Sequence, residues 1–214
     1  MYTALILCGG ESTRSQLNFN KVFYEIKGKA VVQHAYERFR NDPDCQEVIF
    51  VTRREDIPKI KELFGQSCRV LAGGKRRQDS AFIGLKEVKT PYVFIHDGSR
   101  PYFSETSLAR LKTGLKNHDS VSLGMPIVET VKRVDQGVII GDIVREGLYI
   151  LQTPQAFLTS VILQAHALDD EQEYTCDASL LKARRNIVSR VVLGDRMNLK
   201  LTTPEDRTML ERIL

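Results

Sequence analysis

From residue 4 to residue 125 the chain alternates short apolar runs with segments of helical spacing, a rhythm that few folds satisfy. The runs fall at 4–8, 47–52, 69–72, 92–96 and 120–125, and the segments between them at 31–40, 57–64, 79–88 and 105–116. In the first segment the apolar positions are 31, 32, 35, 36 and 39, the spacing of one helix face. Short, continuous apolar runs suit strands buried on both sides. The alternation implies an α/β fold of Rossmann-like type, with a mostly parallel sheet and helices on both faces. Right-handed crossovers then gather the strands' C-terminal ends at one edge, where ligands bind. Gly9-Gly10, Gly73-Gly74 and Asp97-Gly98-Ser99-Arg100 each directly follow a run, so they are expected to converge there.

Residues 127–152 break the rhythm. Two β-rich stretches, 127–134 and 138–144, flank Asp135-Gln136-Gly137, a hairpin signal. A hairpin projecting from an α/β sheet must bury its apolar side, and a partner subunit is one answer. Beyond it the pattern predicts helices near 158–168 and 177–184 around a polar stretch at 169–174. A strand at 189–193 and a short strand at 198–201 follow. The last helix starts at Pro204, with Thr203 as N-cap. No repeat or low-complexity segment intervenes, so residues 1–214 read as one domain with a β-arm at about 127–152.

Charge and cysteine usage exclude several classes of function. The 31 basic and 27 acidic residues leave a net charge of +4, and the basic clusters are short: Arg53-Arg54, Lys75-Arg76-Arg77 and Arg184-Arg185. Aromatic residues do not interleave with them, so no nucleic-acid partner is expected, and the balance suits an anionic small molecule. Cys8, Cys45, Cys68 and Cys176 share no C-x-x-C spacing; reduced thiols fit a cytoplasmic protein. The N-terminus reads as a strand rather than a signal peptide, and no apolar run approaches the ~20 residues of a membrane span.

Five segments carry chemistry. In the first, Cys8-Gly9-Gly10-Glu11-Ser12-Thr13-Arg14, the glycines let the backbone approach a phosphate. Arg14 and Lys21 would neutralise a triphosphate and its leaving pyrophosphate. Neither G-K-[ST] nor G-x-G-x-x-G occurs, and by itself the segment also suits an ordinary strand-to-loop turn. In the second, residues 73–80, two glycines, three cations and a helix start make an anion-facing turn. Its Ser80 can bond a base or ribose, and Asp79 or Ser80 can cap the helix. In the third, Asp97 closes a buried strand, well placed to hold Mg²⁺ between phosphates, while His96 reads as a packed residue. In the fourth, Thr130, Arg145 and Thr153 could bind an acidic substrate. In the fifth, Lys200 stands inside an apolar β segment, costly unless its head reaches an anion such as a phosphate.

The ordered set resembles the cytidylyltransferases that act on methylerythritol phosphate in nonmevalonate isoprenoid synthesis. The resemblance runs through almost the whole chain. It rests on Gly74-x-x-Arg77-Gln78-Asp79-Ser80, His96-Asp97-x-x-Arg100-Pro101, Thr130-Val131-Lys132-Arg133, Gln152-Thr153-Pro154-Gln155-x-Phe157, Asp177-Ala178-Ser179 and Asn198-x-Lys200-x-Thr202-x-Pro204-Glu205-Asp206. It implies a homodimer whose arms cross into the partner, with CTP and a polyol phosphate as substrates. It implies that Arg14 and Lys21 contact the triphosphate, Lys200 the α-phosphate, and Asp97 a Mg²⁺ ion. Gly9, Gly10, Gly74 and Ser80 would hold the cytidine. Thr130 and Arg145 of the partner's arm, with Thr153 and Arg100, would hold the alcohol phosphate. This chain departs from the family pattern at Ser12, where a glycine is usual, and at Lys75, where an aspartate is common.

The reaction so implied is attack of the substrate's phosphate oxygen on the α-phosphorus of CTP, with pyrophosphate leaving. Two alternatives share the motifs: a ribitol-phosphate cytidylyltransferase, and a non-catalytic nucleotide-binding protein of the same fold.

Overall fold

The computed structural model describes residues 1–10 and 15–214. In chain order the strands are β1 (Tyr2–Leu7), the two-residue β2 (Glu25–Ile26) and β3 (Lys29–Ala30), β4 (Cys45–Thr52), β5 (Arg69–Ala72), β6 (Tyr92–Asp97), β7 (Ser120–Pro126), β8 (Val131–Asp135), β9 (Val138–Ile143), β10 (Tyr149–Leu158) and β11 (Arg190–Leu193). The helices are α1 (Val31–Arg40), α2 (Ile57–Phe64), α3 (Arg77–Leu85), α4 (Glu105–Gly114), α5 (Thr159–His166), α6 (Asp177–Arg185) and α7 (Pro204–Ile213). Seven strands form one sheet in the order β11-β7-β10-β6-β1-β4-β5. Among its described strands β10 alone runs antiparallel to both neighbours.

Successive residues of β1 point to opposite faces, and each face has its own core. Tyr2, Ala4 and Ile6 pack with Phe39 of α1, Phe64 of α2 and Leu111 of α4. Leu5 packs with Leu85 of α3, Ile162 of α5 and Leu181 of α6. Burying side chains this size contributes ~1.5–3 kcal/mol each, which is why the apolar runs carry no alternation. A smaller core of Ile26, Val31, Leu201 and Leu210 seats α7 against β2.

The structure corrects the sequence expectation in three places. Residues 149–158, where the pattern predicts the end of the arm and the start of a helix near 158 with no strand between, form β10 in the middle of the sheet. Pro154 cannot donate to a ladder, and it falls where the pairing with β7 shifts register between Gln152 and Gln155. Residues 198–201, expected as a strand, form none. Leu201 N–H instead donates to Ser99 O at 2.8 Å. The apolar-polar alternation survives without a ladder, since Leu201 is buried while Lys200 faces outward. Finally, α3 begins at Arg77 rather than 79. Asp79 is its third residue and accepts the Arg76 N–H at 2.9 Å, capping one turn earlier than expected.

The arm is the hairpin β8–β9, a separate two-stranded sheet. Gln136 (φ 45°) and Gly137 (φ 84°) both take left-handed backbone, as a tight two-residue turn between twisted strands requires. Val138 and Ile139, on opposite faces of β9, are each 64% exposed, so the described residues leave both faces of the arm largely uncovered there.

Candidate active site

The C-terminal ends of β1, β5 and β6 open on one cleft of about 340 Å³, which brings the three expected segments together. Gly9, Gly10, Lys21, Gly74, Ser80, Asp97 and Lys200 all line it. Arg14 and Ser12 lie outside the described residues. Gly98, just past β6, has no room for a Cβ: one would stand 2.6 Å from Cys8 Sγ and 3.2 Å from Leu7 O. That close approach packs the β1 and β6 loop ends side by side.

Each lining residue is seated by its own local logic. Asn20 caps the 3₁₀ turn Lys21–Phe23; its amide donates to Cys8 O at 2.6 Å and to Asp56 Oδ2 at 2.9 Å. This ties the Lys21 backbone to the end of β1, and Lys21 itself is buried against the cleft. In the β5–α3 turn, Ser80 Oγ accepts the Gly74 N–H at 3.1 Å. A Cβ on Gly74 would meet Asp79 Cβ at 2.5 Å, so only glycine fits. Ser80 therefore shapes the turn as well as lining the cleft.

Asp97 is the electrostatic centre. Lys200 Nζ donates to Oδ2 at 2.8 Å, and Arg77 Nη2 reaches Oδ1 at 3.4 Å. Arg100 Nε lies 3.9 Å from Oδ2. Burial opposes ionisation, but Arg77, Lys200 and Arg100 outweigh it and hold the carboxyl well below the usual carboxylate range. The described lining residues include five cations, Lys21, Lys75, Arg76, Arg77 and Lys200, against the single carboxylate Asp97. The cleft is therefore built for a polyanion.

Beneath it runs a polar scaffold. Asp97 N–H donates to Thr153 Oγ1 at 3.0 Å, and that hydroxyl meets His96 Nδ1 at 3.1 Å. His96 Nε2 meets Arg100 O at 2.9 Å. Burial pushes the imidazole pKa down to about 4, so the ring is neutral. The neutral ring then carries its proton on Nε2 and accepts from Thr153 on Nδ1. Burial also pushes the Cys8 thiol above its usual range, so it is no nucleophile.

The remaining expected residues sit elsewhere. Thr153 is buried behind Asp97, and Arg100 Nη1 is engaged by Asn198 O at 2.7 Å; neither lines the cleft. Thr130 and Arg145 lie exposed on the arm, where Arg145 donates to Val128 O, outside their own chain's cleft. The sequence reading gave Arg77 only a share in an anion-facing turn, and gave no role to Asn20 or Asp177. Arg77 bonds Asp177, 100 positions away, and Asp97, 20 positions away, separations that no local spacing reveals.

Comparison with known proteins gives this geometry a context. The sequence profile of the family described as 2-C-methyl-D-erythritol 4-phosphate cytidylyltransferase matches residues 2–214. A protein of that name from Halalkalibacterium halodurans is 36% identical, over 100% of this chain and 96% of its own. Another of the same name, from Bacillus licheniformis, is 34% identical over 100% and 95%. Among solved structures, 4-diphosphocytidyl-2C-methyl-D-erythritol synthase from Anaerococcus prevotii is similar, with a TM-score of 0.85 and 27% identity. That match covers 99% of this chain and 94% of the other.

Proposed function

Because this chain belongs to the 2-C-methyl-D-erythritol 4-phosphate cytidylyltransferase family, we propose that it joins CTP to methylerythritol phosphate, giving 4-diphosphocytidyl-methylerythritol and pyrophosphate for isoprenoid synthesis. The observation that carries this reading is the cleft itself. Cations from three separated segments surround one ionised aspartate where β1, β5 and β6 end.

An oxygen of the alcohol's phosphate attacks the α-phosphorus of CTP in line. The new P–O bond forms as the bond to the β-phosphate bridge breaks, and pyrophosphate leaves with that electron pair. No protein nucleophile takes part. The difficulty is to bring two anions together, so positioning and charge neutralisation carry the catalysis. Lys21 neutralises the triphosphate, together with Arg14. Lys200 leaves Asp97 for the α-phosphate. Gly74 and Ser80 present the turn that takes the nucleoside.

The residues present fit a magnesium ion. No group of three or more His, Cys, Asp or Glu side chains clusters among the described residues, and one ionised carboxylate faces the cleft. Mg²⁺ shared with phosphates needs only one or two carboxylates. Asp97 would hold it, and when bound it would neutralise phosphate charge. The exposed apolar strands of the arm support a homodimer in which Thr130 and Arg145 serve the partner's cleft. No described helix is long and apolar enough to cross a membrane, and all four cysteines are free thiols. The thiols suit the reducing cytoplasm, where we place the protein.

Pyrophosphate release, measured with each of CTP, ATP, GTP and UTP, Mg²⁺ and methylerythritol phosphate, tests the reading. Release is expected with CTP, and a parallel arm with ribitol 5-phosphate is expected to be slow. Silence with all four nucleotides, or faster turnover of ribitol phosphate, sinks it.

A further inference from the structure

The cleft's charge network extends into the core. Asp177 opens α6, is 1% exposed, and does not line the cleft. Its Oδ2 accepts from Arg77 Nη1 at 2.7 Å, and its Oδ1 accepts from His166 Nε2 of α5 at 3.1 Å. Arg77 does line the cleft, and its second arm reaches Asp97 Oδ1 only at 3.4 Å. One guanidinium thus spans two carboxylates unequally. The deeper one holds it at the shorter distance, and His166 fixes that carboxylate from the other side.

The inequality has a consequence for Asp97. An arginine left to one carboxylate closes on it as a fork, covering both oxygens with parallel hydrogen bonds. Asp97 is spared this. Arg77 remains near enough to favour its ionisation, while Oδ2 is left to Lys200 at 2.8 Å. Lys200 is 38% exposed and can depart toward an arriving phosphate; Arg77 is anchored and stays. We propose that Asp177 is a positioning residue, which holds Arg77 back from Asp97 so that Asp97 and Lys200 stay available to whatever enters the cleft. His166 steadies Asp177 in that task. The inference rests on the function proposed above for its kinetic consequence, but not for its geometry.

Two measurements test it. A crystal structure of Asp177→Asn is expected to show Arg77 swung onto Asp97, with both terminal nitrogens within ~3 Å of its oxygens. Arg77 still seated on residue 177 overturns the proposal. In the pyrophosphate assay, Asp177→Asn is expected to lower kcat at least ~10-fold with a smaller change in KM for CTP, the signature of misplaced groups rather than lost binding. Arg77→Lys keeps the charge but loses the planar fork whose two arms reach Asp177 and Asp97, so it is expected to lose a similar factor. In the Arg77→Lys background, Asp177→Asn is then expected to cost less than ~2-fold more, because both act through one contact. Fully multiplicative losses, or wild-type kcat in either single variant, overturn it. Should Asp177→Asn fail to fold, Arg77→Lys, at the cleft surface, carries the test alone, and wild-type kcat there is fatal. Wild-type protein that releases no pyrophosphate would sink the proposed function and leave the crystal structure to decide this inference.

Discussion

At the scale of single residues, the cleft is a problem of like charges brought close. Lys21 and Lys200 approach it from opposite ends of the chain, one buried beside the β1 end and one paired with Asp97. In the reaction proposed above, each would supply charge at a different part of the same polyanion. Lys21→Ala and Lys200→Ala are each expected to cut kcat at least ~100-fold, the scale of losing one preorganised stabiliser. Steady-state pyrophosphate release checks this, and near-normal turnover in both variants would remove the electrostatic account. The lysines were legible in sequence because a cation beside glycines, or inside an apolar segment, asks for an anion. Arg77 stood in a quoted motif, yet its role was not legible, since its partners come from β6 and α6.

At the scale of elements, Lys200 depends on a segment that has no ladder to hold it. Leu201 N–H on Ser99 O and the Arg100 guanidinium on Asn198 O hold its first part, and the start of α7 holds residues 202–203. Asp206 Oδ2 accepts both Thr202 N–H and Thr203 N–H at 2.7 Å. Asp206→Ala strands both donors and is expected to cost about 1–2 kcal/mol, read as a lowered Tm. Asp206→Asn should recover part of it. The cap itself was visible as Thr203-Pro204-Glu205-Asp206. The missing strand at 198–201 was not, because alternation reports which side chains face the core but not whether a neighbouring strand exists to pair. The reverse error hid β10. Its Gln152-Thr153-Pro154-Gln155 stretch has the polarity of a loop, yet Gln155 and Thr153 are buried because their side chains find partners in α6, His96 and the backbone of Asp97. Apolar runs and helical spacing located the other central strands and the helices to within a few residues.

At the scale of the whole molecule, stability and pH are linked through the scaffold under the cleft. His96 titrates near 6.5 when exposed but at about 4 in the fold, where burial favours the neutral ring. Above pH 6.5 both states are neutral and it is without effect. As pH falls from 6.5 to 4 the unfolded chain takes up a proton that the native one refuses, so stability drops by about 3 kcal/mol in total. Asp177 adds a second loss at lower pH. Its carboxyl lies at about 2 in the fold, below the usual 3.8: burial alone would raise it, but Arg77 and His166 outweigh that. Its contribution, full above 3.8, disappears as pH falls toward 2. Urea unfolding between pH 7 and 4 is expected to show the first decline, and His96→Gln to flatten it. The arm carries a different consequence. Thr130 and Arg145 stand outside the cleft of the chain that bears them, so two defective genes could cover for one another. Lys21→Ala chains and Arg145→Ala chains, each inactive alone, would on remixing form hybrid dimers in which one cleft has an intact lysine and an intact visiting arginine. Random exchange should restore about a quarter of normal turnover, and a mixture that stays dead would mean that each arm serves no cleft but its own.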